Sequence, residues 1–296
     1  MKKTLTVVLL LLASCSTEPV LTDKEYAQKA NEAMEGGMYD LAIQEYQRLL
    51  EEHPFSDYSE EAQLKIGQAQ YQNKQYAEAI ASFQDFQRMH PTNPNLALTE
   101  YYTALAFMDQ MGKRDRDQRA AENAQAHFAS VLERYPDSPF TAEARQKLKE
   151  CRETLAAHEF AIAKFYLIWT NPIGAEGRLR RLLENYPDTD VAALALAHFA
   201  RYLRSRGDLT RSALAYASLV SQYPKSADLA EAQDALADLK GKQVAVPDAP
   251  LPALVETLGR PSLARVPAPA VPPAPAPTNV SDAHTQPSQP SPSARN

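Results

Sequence analysis

Few of the 296 residues have both the type and the spacing for covalent or acid–base chemistry. Cys15 does. It closes the string Leu12-Ala13-Ser14-Cys15, which follows Lys2, Lys3 and an apolar run from Leu5 to Ala13 broken only by Thr6. A basic start, a short apolar core and a small pair before a cysteine make an export signal of the lipobox kind. Cleavage after Ser14 makes Cys15 the first mature residue, and its thiol carries lipid. The apolar run falls short of the about 20 residues that a spanning helix needs. Several acyl chains anchor stably, at about 0.8 kcal/mol per buried CH₂, where one alone is marginal. Ser16 follows in place of the aspartate that holds lipoproteins in an inner membrane, so the outer membrane is expected. Cys151, the second cysteine, has no partner in the mature chain and reads as a small apolar residue on a helix face.

The other candidates read as structure. His53 and His90 stand directly before Pro54 and Pro91, in the column that Tyr135, Tyr186 and Tyr223 occupy before Pro136, Pro187 and Pro224. A column shared with tyrosine is one of packing or capping residues. His127 and His158 lack a second ligand at metal spacing, and Glu51-Glu52 and Glu60-Glu61 read as solvated helix ends. There is neither a glycine-rich phosphate loop nor an HExxH string. The sequence therefore predicts no enzyme, no metal and no cofactor. A net charge of −6 argues against nucleic acid, which needs a basic face.

The elements behind these residues repeat. Twelve residues before the five turn prolines stand Ala42, Ala79, Ala124, Ala175 and Ser212. Eight before stand Tyr46, Phe83, Phe128, Leu179 and Tyr216, and five before stand Leu49, Phe86, Val131, Leu182 and Leu219. Eight after stand Ala62, Ala144, Ala195 and Ala232, with Thr99 the exception. Offsets of 4, 3 and 7 share one helix face. A small residue lets the next helix approach, a bulky one a turn later fills the gap, and proline stops the helix. The expected fold is all-α: about five helix–turn–helix repeats of tetratricopeptide type, stacked as an α-solenoid with a capping helix at Ala227–Lys240. Gly36-Gly37, Asn73-Lys74 and Arg206-Gly207-Asp208 are the expected turns within repeats.

Spacings between the prolines are 37, 45, 51 and 37. The 45 leaves room for a loop at Gly112–Asp117. The 51 predicts one long helix over Phe140–Trp169, a stretch free of Gly and Pro. The chain then divides into a signal peptide (1–14), a lipidated linker (15–22), the solenoid (23–240, repeats ending near 54, 91, 136, 187 and 224) and a disordered proline-rich tail (241–296). Of the 22 prolines, 13 follow Gly241. Such composition does not bury enough apolar surface to offset ordering, although Leu251–Leu258 is compatible with a short helix. Charge is uneven too: 16 acidic against 6 basic residues over 15–112, then 18 against 19 over 113–240, with arginines clustered at 178, 180, 181, 201, 204, 206 and 211. Most of these read as solvated helix faces, and a sharper reading is two surfaces of different sign for two partners.

Four strings carry a resemblance to a family. They are His53-Pro54-Phe55-Ser56-Asp57-Tyr58-Ser59; His90-Pro91-Thr92-Asn93-Pro94-Asn95; Asp115-Arg116-Asp117; and Tyr135-Pro136-Asp137-Ser138, continued by His158-Glu159-Phe160 and Tyr186-Pro187-Asp188-Thr189. With the lipobox and the unequal repeats, the chain resembles the BamD (ComL-like) family of outer-membrane β-barrel assembly lipoproteins over about residues 23–225. The resemblance implies a non-enzymatic, lipid-anchored scaffold facing the periplasm. Its partners would be the periplasmic domains of a BamA-like barrel subunit, other assembly lipoproteins and unfolded β-barrel clients. It implies that Arg178, nine residues before Pro187, contacts an acidic residue of BamA. It also makes Arg116, Asp117, Tyr101 and Tyr102 further candidates for partner contact. The chain departs from the family's pattern at Tyr101-Tyr102-Thr103-Ala104, which lacks an arginine, and at Asn171-Pro172, where an Arg-Gly turn is usual. The rival reading is another periplasmic tetratricopeptide protein that coordinates the envelope or cell division by binding peptides or proteins.

Overall fold

The computed structural model describes residues 20–112, 117–169 and 171–259. Cys15 and the signal expected before it, Arg116 in the loop expected at Gly112–Asp117, and residues 260–296 of the expected tail lie outside the described residues. Among the described residues every regular element is a helix: α1 (Asp23–Glu35), α2 (Tyr39–Glu52), α3 (Ser59–Gln72), α4 (Tyr76–Met89), α5 (Leu96–Asp109), α6 (Arg119–Arg134), α7 (Thr141–Ile168), α8 (Pro172–Asn185), α9 (Asp190–Ser205), α10 (Leu209–Gln222), α11 (Leu229–Gly241) and α12 (Pro250–Thr257). Each of α1 to α10 packs on the next in sequence, as a solenoid requires.

The repeat columns are the core. All five residues twelve before the prolines are fully buried, as are their bulky partners eight and five before, none more than 2% exposed. Ala62, Ala144, Ala195 and Ala232 are buried on the following helices. Thr99 fits their column because its hydroxyl is satisfied: it donates to the Leu96 carbonyl at 2.8 Å and accepts from Gln87 Nε2 at 3.0 Å. Within the repeats, Gly37, Lys74 and Gly207 take φ of 69°, 61° and 80°, the left-handed corner that reverses the chain. Asn171-Pro172, the departure from the family pattern, works as a helix start. The Asn171 side chain accepts from the Gly174 amide at 3.0 Å, and Pro172 occupies the first turn.

The 51-residue spacing does lengthen one helix. α7 has 28 residues, about 42 Å at 1.5 Å per residue. Its first half contributes Ala144 and Cys151 to one core cluster, and its second half gives Ala156, Phe160 and Ala163 to the next.

Order continues past the boundary expected at 241. Residues 242–259 turn back after α11, and α12 lies against α10 and α8. Leu251, Leu254 and Leu258 are buried in the same core as α8 to α11. Spacings of 3 and 4 put these leucines on one face, enough to seat a short helix within proline-rich surroundings. The Arg180 guanidinium donates to the carbonyls of Leu258 and Val255, and the Gly259 amide donates to Glu176 Oε2 at 3.1 Å. The Val255 carbonyl also accepts from the Leu258 amide, so these bonds add to the cap at the C-terminal end of α12 and satisfy the Leu258 carbonyl and the Gly259 amide beyond it.

Candidate partner-binding site

The arginine cluster mostly joins one helix to another. Arg152 on α7 donates to Asp188 through Nε and Nη2 and to the Asn185 carbonyl, and its guanidinium lies 5.4 Å from the Tyr186 ring centre. This pairing, first among the causes, holds the Asp188 carboxyl below the usual range. Arg201 clamps Glu231 and Asp228, and Arg204 binds Asp238 at 2.6 Å. Arg211 joins Asp208 (2.6 Å) and the buried Glu176 (2.7 Å). Arg180, expected to be solvated, is instead the clamp on α12.

Arg178 and Arg181 differ from the rest. One turn apart on α8, both reach the same carboxylate, Glu159 of α7, at 3.1 Å and 3.4 Å. Glu159 is only 7% exposed, while the Arg178 side chain is 30% and the Arg181 side chain 58% exposed. One buried negative charge thus faces two partly exposed positive ones. The burial of Leu179 and Leu182 fixes the helix face, which turns Arg178 toward α7 and Arg181 further out. The pair lines a cleft of about 250 Å³ with Leu155, His158, Glu122, Tyr186 and the start of α6, where Asp117, Gln118 and Arg119 stand. Asp117 binds Arg119 at 2.6 Å, so that pair is neutral. The charges of the lining balance, Asp117, Glu122 and Glu159 against Arg119, Arg178 and Arg181. What the arrangement can offer a partner's carboxylate is the part-exposed guanidinium of Arg178 or Arg181, a planar donor suited to bidentate contact.

Of the sequence candidates, the fold gathers Asp117 and Arg178 at this cleft. Tyr101 is corrected to a core residue. It is 4% exposed, stacks on Phe140 with ring centres 5.0 Å apart, and burial pushes its phenol above the usual range. Tyr102 is half-buried, edge-on to Tyr71 at 5.2 Å. The two pre-proline histidines are stitches: His53 Nε2 donates to the Leu21 carbonyl at 2.8 Å, and His90 Nε2 bonds Gln63 Oε1 at 2.7 Å. Cys151 is fully buried, and burial pushes its thiol up to about 11. His127 bonds Glu100 at 2.9 Å. Burial alone would raise the Glu100 pKa, but bonds from His127, Ser130 and Gln87 outweigh it and leave it lowered.

Sequence reading missed Glu159 as the hub of the site, and the exposed apolar turn beside it. Phe165, Ile168, Trp169 and Ile173 are all more than half exposed around the end of α7 and the start of α8. The signal was there: nothing from Phe160 to Ala175 is acidic, and the one tryptophan sits where the helix ends.

Comparison with known proteins gives consistent likenesses. A family described as outer membrane lipoprotein (YfiO) matches residues 20–213. The outer membrane protein assembly factor BamD of Vibrio cholerae is 32% identical over 200 residues, covering 63% of this chain and 83% of that protein. BamD of Neisseria meningitidis is 26% identical over 78% of this chain and 95% of that protein. BamD of Caulobacter vibrioides is 31% identical over 55% of this chain and 53% of its own length. Among solved structures, the TPR2AB domain of yeast Sti1 is 14% identical over 80% of this chain and 96% of that one, with a TM-score of 0.40.

Proposed function

We propose a function from one premise: the chain belongs to the YfiO family of outer membrane lipoproteins, to which its BamD relatives point as well. It is an outer membrane protein assembly factor of BamD type, built as a tetratricopeptide solenoid. The role of an envelope or division coordinator is not favoured beside that membership. The finer reading has three parts. The chain is held to the outer membrane by lipid on Cys15 and faces the periplasm. It works as a scaffold without catalysis of its own. Its partners are a BamA-like barrel subunit, accessory assembly lipoproteins and unfolded β-barrel clients, the first of these engaging Arg178 and its neighbour Arg181.

One observation supports the last part most: two guanidiniums share one buried carboxylate. One carboxylate cannot fill the donors of both guanidiniums, so N–H groups remain at the mouth of the cleft for a partner's acid, although Glu122 balances the charge of the lining. The geometry also dictates the variant. Arg178→Glu would set a second carboxylate against buried Glu159 and confound folding with binding. Arg178→Ala leaves Arg181 to pair with Glu159, so no buried charge is stranded. Loss of one partner from a desolvated interfacial charge pair costs about 2–5 kcal/mol, roughly thirtyfold or more in Kd. Titration of purified BamA-like periplasmic domains should therefore show Arg178→Ala binding at least that much more weakly, with the melting curve retained. An unchanged Kd in a folded Arg178→Ala variant removes Arg178 from the interface. A change that added salt abolishes reduces its role to steering.

A further inference from the structure

The residue after the turn proline is Phe55 in the first repeat, and Thr92, Asp137, Asp188 and Lys225 in the others. Four turns present a polar group to water and one presents a benzyl ring. Phe55 is 99% exposed. The turn beneath it is firmly built: the Ser56 amide donates to the His53 carbonyl at 3.0 Å, the Ser59 amide to the Ser56 carbonyl at 3.0 Å, and the Ser59 hydroxyl to the His53 carbonyl at 3.2 Å. Nothing in the repeat pattern calls for the ring, and its own fold does not cover it.

The same turn holds the chain where it enters the solenoid. His53, two residues before Phe55, donates to the Leu21 carbonyl at 2.8 Å, and Ser56, one after, donates to Asp23 Oδ2 at 2.7 Å. Cys15 is six residues before Leu21, and six residues span at most about 22 Å. A chain acylated at Cys15 therefore keeps this turn within about 22 Å plus the width of the turn from the lipid surface.

We propose that Phe55 is a second membrane contact, its ring entering the interface of a zwitterionic phospholipid surface beside the lipid on Cys15. This rests on the anchoring reading above. Acylation makes the encounter intramolecular, so a single apolar group suffices where it could not bind alone. An aromatic ring is well suited to the boundary between headgroup and acyl chain. Glu51, Glu52, Asp57, Glu60 and Glu61 are exposed around the turn. They repel anionic lipid, so the ring and not charge makes the contact, and zwitterionic headgroups are the matching surface.

The test uses the full acylated chain with Trp169→Phe and Phe55→Trp, which moves the only indole to the turn. In phosphatidylcholine–phosphatidylethanolamine vesicles carrying brominated acyl chains, emission from position 55 should shift to the blue and fall at least twofold. The same substitutions with Cys15→Ala should give an unquenched, aqueous spectrum. Mass spectrometry separates the failures. An unmodified Cys15 overturns the anchor and this proposal with it. A modified Cys15 with an unquenched indole overturns this proposal alone, as does a photo-crosslinker at position 55 that reaches a protein partner while the ring stays aqueous on vesicles.

Discussion

Single residues divide into those whose role follows from local spacing and those whose role depends on a distant partner. The small and bulky columns belong to the first kind: Ala79 or Phe83 is defined by offsets of twelve and eight from a proline, and burial follows. Cys151 was legible in the same way, lying between Leu148 and Leu155 on a helix free of breakers. Its thiol, pushed up to about 11 by burial, is about one part in a thousand thiolate at pH 8. The folded protein should resist iodoacetamide at that pH for hours, and unfolding in guanidinium should make Cys151 react within minutes. Rapid modification of the native protein would mean that α7 opens there. Arg178 belongs to the second kind. A sequence without coordinates gives no sign that it and Arg181 converge on Glu159, which is 19 residues from the first and 22 from the second. Arg180 is harder still, since its acceptors lie 75 and 78 residues away.

At the scale of elements, the offsets foresaw the five repeats and the long α7, because proline and the spacing of small residues act within a helix or two. Ala79 should be the sharpest probe of that register. It has no exposed surface where α4 meets its neighbours, so Ala79→Leu should lose about 1–3 kcal/mol through overpacking, read from urea melts. An unmoved midpoint would place the helix contact elsewhere. The turns offer the opposite sign. Lys74 holds the left-handed conformation that Gly37 and Gly207 hold in sister repeats. A side chain there is strained by about 1 kcal/mol. Lys74→Gly should therefore raise stability by up to that amount, and a lower midpoint would show that the lysine side chain has a compensating contact. α12 is only weakly marked in the sequence, as the short helix with which Leu251–Leu258 is compatible, because the prolines around it dilute three well-placed leucines.

For the whole described molecule, the corrected boundary makes a direct prediction. A chain ending at Gly241 loses Leu251, Leu254 and Leu258 from the core of α8 to α11, and leaves Arg180 and Glu176 without the backbone groups they hold. Removing even one such leucine costs about 2–5 kcal/mol. The chain ending at Gly241 should melt several degrees below one ending at Gly259, and equal melting temperatures would show that α12 adds nothing to the core. The order of stacking has another consequence. Four core clusters follow one another along the chain, and adjacent clusters share no more than a helix or a ring: α3 between the first two, Tyr102 and α5 between the second and third, α7 between the last two. Such a body is mechanically a set of links in series. If the N-terminus is tethered as proposed, a pull between that tether and a partner held at α8 passes through every link with the same force, and the weakest link yields first. The long α7, one helix shared by the last two clusters, couples the C-terminal link to the rest, so such a pull would be felt at the arginines of α8.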